Sequence, residues 1–133
     1  ENYNESIPGL AGDVFVMNKD GSYVHQLTET LRDSFLPDWS PDGEWLIVAS
    51  LDGKDPFEGS NTSIFKIRVD GSEMIRLGEG GGGVWSPDGE VIAFLNDLGL
   101  WFMDANGMNV QKIGEIYTYQ PISWQPKAIV PQP

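Results

Sequence analysis

The pentapeptide Trp-Ser-Pro-Asp-Gly occurs at positions 39–43 and again at 85–89, with a degraded third copy at Ser123-Trp124-Gln125-Pro126-Lys127. Ser-Pro-Asp-Gly is turn chemistry. Pro41 and Pro87 fix φ at the second turn position, Asp42 and Asp88 bond back to nearby backbone, and Gly43 and Gly89 take the left-handed conformation that closes a hairpin. Each full copy is followed by a continuous apolar run, Trp45-Leu46-Ile47-Val48-Ala49 and Val91-Ile92-Ala93-Phe94-Leu95. Strands of this composition are buried on both faces. Trp39 and Trp85 stand just before the turn, where a large ring can wedge between stacked sheets. The repeating unit is therefore a hairpin with an interior second strand, and its adjacent Ser and Asp are turn residues rather than a catalytic pair.

The tryptophans at 39, 85 and 124 are spaced by 46 and then 39 residues. Between them lie further strand signals. Val14–Met17 and Tyr23–Leu27 flank an Asp20-Gly21 turn, Ile64–Val69 alternates before Asp70-Gly71 and a return at Met74–Leu77, and Leu100–Met103 meets Val110–Ile113 across Asn106-Gly107. No stretch holds helical periodicity over three turns. A period of about 40–45 residues with four strands marks a propeller blade. The predicted fold is all-β: about three four-stranded antiparallel blades, two complete and two half-blades, a partial propeller or half of a six-bladed ring. Residues 1–11 read as an N-terminal arm and 12–127 as the repeat region. Within it, 12–28 is a half-blade of two outer strands, 35–77 and 83–113 are blades, and 117–130 supplies one or two inner strands; 131–133 is a tail. The Gly80–Gly83 run reads as slack between blades or as space for a close neighbour.

These residues resemble the TolB-like propeller repeat, with WD-like Trp-Ser-Pro-Asp-Gly units. Its marks are an apolar strand, an Asp-Gly hairpin, a Leu-Thr step, the pentapeptide and a second apolar strand. They fall at Val14–Met17, Asp20-Gly21, Leu27-Thr28, Trp39–Gly43 and Leu46–Ala49, and recur from Ile64 and from Leu100. Gly78 departs from the Leu-Thr step, and Gln125-Pro126-Lys127 from the third turn. The resemblance implies a six-bladed ring and a periplasmic or extracellular location.

Strand counting then limits function. The chain opens on outer strands and ends on inner ones, and three blades are fewer than the 4–8 that close a ring. Open blades expose unpaired edges and apolar faces. Either the chain is part of a longer propeller, which its start at Glu1 without Met allows, or copies associate so that one completes a blade of the next, as a dimer or a filament. The net charge of −12 disfavours nucleic acid and anionic membranes. No apolar run approaches the ~18 residues of a membrane-spanning helix.

Little chemistry stands outside the repeat. There is no cysteine and one histidine, His25, with no Gly-x-Ser-x-Gly elbow to serve it. The glycine run lacks the Lys-Ser/Thr of a phosphate loop. No cofactor or metal site is expected. The candidate protein-binding rim comprises Asp38, Phe57, Tyr117, Tyr119 and Ser123. Asn4 and Asn61 open tripeptides that fit the N-glycosylation pattern. The expected function is a non-catalytic module that binds proteins and assembles with itself. The alternatives are an accessory propeller of a larger peptidase-like or TolB-like periplasmic protein, and a structural subunit of an extracellular filament.

Overall fold

In a computed structural model of the chain, residues 12–29, 31–51, 62–116 and 121–125 are described. They form two four-stranded antiparallel sheets and one short strand pair. β1 (Phe15–Val16) pairs with β2 (His25–Gln26). The first sheet orders β3 (Arg32–Trp39), β4 (Trp45–Leu51), β5 (Thr62–Arg68) and β6 (Met74–Glu79) as a simple meander. The second repeats it with β7 (Gly81–Trp85), β8 (Val91–Asn96), β9 (Gly99–Asp104) and β10 (Gln111–Glu115). Contacts between the sheets run from β7 to β3, β4 and β5, so successive sheets stack face to face and meet at their inner strands. The described residues contain no helix, hence none able to cross a membrane.

The two pentapeptide turns are built alike. Gly43 N–H donates to the Ser40 carbonyl at 2.9 Å, as Gly89 does to Ser86 at 2.9 Å. The buried Ser40 hydroxyl donates to Asp42 Oδ1 (2.5 Å) and accepts the Trp45 N–H (2.9 Å). Ser86 does the same with Asp88 (2.6 Å) and Val91 (3.0 Å). Asp42 and Asp88 also accept the N–H of Glu44 and Glu90, at 2.9 and 3.1 Å. Both carboxylates are thus engaged in the turn, as its chemistry demands.

The Ser40 hydroxyl, then the Glu44 N–H, hold the Asp42 carboxyl below its ordinary value of 3.8. A depressed folded-state value contributes stability that is complete above the unfolded value and disappears as the pH falls through the folded one. An Asp42→Ala variant is therefore expected to differ from the parent by a constant amount above pH ~5, with the gap closing below 3.8. Urea melts across pH 2–7 check this; a gap unchanged at low pH contradicts it.

Burial follows the apolar pattern. Leu46 through Ser50 of β4 are all buried. Alternate residues serve two cores. Leu46, Val48, Phe65 and Ile67 face Val14 and Val16 of the half-blade. Ile47 and Ile64 face Trp85, Ile92, Phe94 and Met103 of the second sheet.

One expectation needs correction and two are narrowed. The glycine run makes space for a close neighbour rather than slack: Gly78 and Glu79 end β6, and Gly81–Gly83 begin β7. A Cβ at Gly83 would stand 2.8 Å from Ile47 Cγ2, and one at Gly80 would stand 2.7 Å from the Phe94 ring. These glycines let β7 press onto the neighbouring sheet and its own partner strand. In the first strand pair the Phe15–Val16 and His25–Gln26 ladder is extended by the Leu27 N–H, which donates to the Val14 carbonyl at 2.8 Å. Finally, the two motif tryptophans are not equivalent. Trp85 is 7% exposed and wedged between sheets, whereas Trp39 is 49% exposed, because no inner strand of a preceding blade stands beside it among the described residues.

Candidate functional site

Asp38, predicted at a binding rim, is occupied by the fold: its Oδ2 accepts the Trp85 N–H at 2.8 Å. It ties the inner strand of one blade to that of the next. Ser123 is exposed, beside half-buried Ile122 and Trp124. Phe57, Tyr117, Tyr119, Asn4 and Asn61 lie outside the described residues. Of the five rim residues, only Asp38 and Ser123 fall among the described residues.

His25 bridges two layers. Its Nδ1 lies 3.2 Å from the Tyr23 carbonyl and its Nε2 3.2 Å from that of Val69, which links the half-blade to the end of β5. Among the described residues no three His, Asp or Glu side chains converge to hold a metal ion.

Lys66 sits between the two sheets. Its Nζ donates to the Ala105 carbonyl at 3.1 Å and lies 4.4 Å from the Trp45 ring centroid and 5.4 Å from that of Trp85. Burial lowers its pKa, against the opposing pull of Asp42 and Glu73. Such an ammonium, held over two indoles, gains cation–π attraction in place of water. It is a seam between blades rather than an open site.

The open feature is the outer face of the second sheet. Val84, Ala93, Leu100 and Phe102 line a cleft of about 330 Å³, closed on one side by Ile122–Trp124. The Trp124 indole N–H donates to the Val84 carbonyl at 3.2 Å, and its ring lies 5.2 Å from that of Phe102. Residues 121–125 thus lie against the outer face of the second sheet without forming a regular strand. Strand alternation at 91–95 and 100–103 carried a signal for this face, since Ala93, Leu100 and Phe102 share one side of neighbouring strands. The other apolar side is already filled by the first sheet.

No protein-family model matches the sequence. A curated relative, an uncharacterized protein of Agrobacterium fabrum, is 27% identical over 137 aligned positions, spanning 86% of this chain and 44% of that protein. Among solved structures, a protein assigned as TolB from Agrobacterium tumefaciens matches with a TM-score of 0.60 and 26% identity, over 75% of this chain and 40% of that one. TolB from Acinetobacter baumannii matches at 0.57 and 19% identity, over 78% and 27%. An oligogalacturonate lyase in complex with manganese matches at 0.62 and 16%, over 82% and 31%. The chain spans less than half the length of each.

The sheets are blades of an antiparallel β-propeller. The fold is TolB-like, covering part of the span of the proteins that share it. Two TolB structures and a lyase have it alike, so the architecture by itself assigns no activity.

Proposed function

We propose that this chain is a non-catalytic propeller module of the periplasm or extracellular space that binds protein and assembles with itself, strands of one copy completing a blade of the next. One observation carries the reading: two open surfaces of complementary kind. Among the described residues, β1–β2 form a strand pair with no further strand beside it, next to Trp39, which is 49% exposed. Residues 121–125 lie on the outer face of the far sheet, with an apolar cleft beside them.

Sedimentation equilibrium at micromolar concentration tests the reading. The expected species has twice the 14.7 kDa chain mass, and its formation strengthens with salt, because like charges of −12 per copy are screened. A single-chain mass at every concentration and salt contradicts it. Electron microscopy separates a closed pair from a filament, the outcome of head-to-tail addition that does not close.

The second reading, an accessory propeller in a longer protein, is favoured by the 44% share of the curated relative. Sequencing the coding region on both sides of these residues decides it. Further in-frame propeller strands would replace self-assembly with closure within one chain.

A further inference from the structure

We infer that Phe15 and Met17 of one copy insert into the cleft of Val84, Ala93, Leu100 and Phe102 on a second copy, forming a blade shared between the two chains. This rests on the self-assembly reading above and names the surfaces that carry it.

The three outer-strand turns fix which residues correspond. In each, a glycine N–H donates to the carbonyl three residues earlier: Gly21 to Asn18 (2.9 Å), Gly71 to Arg68 (2.8 Å) and Gly107 to Asp104 (2.8 Å). Counting back from these turns aligns Phe15 with Phe65 and Trp101, and Met17 with Ile67 and Met103. Those counterparts cover a preceding layer. Phe65 and Ile67 pack on Val14 and Val16, and Trp101 and Met103 join Ile47 and Ile64. Ile67 and Met103 are 1% and 2% exposed, yet Met17 is 62% and Phe15 57% exposed. The half-blade therefore presents to solvent the side that, in both complete blades, is buried against a neighbouring blade.

The receiving surface is identified by the same alignment. Leu100 corresponds to Ile64, and Ala93, two residues past Val91 after its turn, corresponds to Ile47. In the complete interface Ile47 and Ile64 share a core with Met103. Ala93 and Leu100 line the open cleft. Knob and hole thus already exist within the chain as one filled pair, and again as two unfilled halves at opposite ends.

The occupant is a second copy rather than an unrelated strand pair because the two surfaces match within this chain: among the described residues, 121–125 lie beside the cleft through Trp124 with no strand pair next to them, and β1–β2 is a strand pair with no further strand beside it. Closure in a pair makes the two junctions identical by symmetry.

The test uses the full 133-residue chain and exploits its lack of cysteine. Tagged Met17→Cys and untagged Ala93→Cys chains are mixed and treated with a short bismaleimide; a cross-linked product containing one of each is expected. Ser72→Cys, on an exposed turn, replaces Met17→Cys as the control and should yield none. In parallel, Met17→Asp is expected to raise the dissociation constant of the pair at least about 10-fold, whereas Ser72→Asp, which adds the same charge, leaves it within about 2-fold. Circular dichroism confirms that both variants remain folded. If the parent chain is monomeric throughout, the self-assembly reading fails and this inference with it. If the parent pairs but Met17→Asp pairs as tightly, or cysteine at 17 cross-links no better than cysteine at 72, the inference alone is overturned.

Discussion

A Gly83→Val variant is expected to lose roughly 1–3 kcal/mol of stability, the usual cost of forcing methyl groups into a filled core. Its Cβ would stand 2.8 Å from Ile47 Cγ2, with methyls of Ile64 and Ile92 at 3.6 and 3.7 Å. Ile47 is fully buried, so Ile47→Ala alone should cost about 2–5 kcal/mol. The double variant is the sharper experiment. The valine then occupies space that the alanine vacates, so the combined loss should fall short of the sum by about 0.5–3 kcal/mol. Urea melts of the four proteins at one fixed concentration measure this coupling. Strict additivity would mean that the two side chains do not share one space, contrary to the geometry.

The two motif tryptophans should respond very differently to truncation. Trp85 lies in the core between the sheets, and Trp85→Ala is expected to cost about 3–5 kcal/mol. Trp39 occupies the same place in the same pentapeptide, but half of its surface is open. Trp39→Ala should cost a folded single chain about 1–1.5 kcal/mol, because little packing is lost. If copies pair as proposed, Trp39 gains cover only in the pair, so the Tm deficit of Trp39→Ala grows with protein concentration while that of Trp85→Ala does not. Equal losses at low concentration would contradict the difference in burial.

The contrast between these tryptophans also shows where reading the sequence stops. The pentapeptide turns, the interior strands after them and the four-strand order are legible because each follows from local chemistry: Pro, Asp and Gly at fixed turn offsets, and unbroken Val/Ile/Phe runs. Burial of Trp39 depends on what stands beside it, which no local pattern reports. The glycines at 80–83 are ambiguous for a related reason. A glycine run in isolation fits either slack or a close neighbour, and only the position of Ile47 shows Gly83 to be a strand residue without a side chain so that a neighbour can approach. Val14-Phe15-Val16-Met17 is apolar on both sides, so periodicity cannot say which side is covered. Asp38 reads as a candidate rim acid, and no local pattern reports that its Oδ2 accepts the backbone N–H of Trp85, 47 positions later.

The size exchange across the two blade junctions has a consequence for how such a chain could have arisen and be rearranged. At the first junction a large residue, Ile47, meets a bare position at Gly83; at the second a small residue, Ala93, lies in the same cleft as Ile122. These reciprocal substitutions give each junction its own address, so that exchanging them would set Ile47 against Ile122 and leave a hole between Ala93 and Gly83. The order of the blades is therefore written in side-chain volume as well as in the connectivity of the polypeptide.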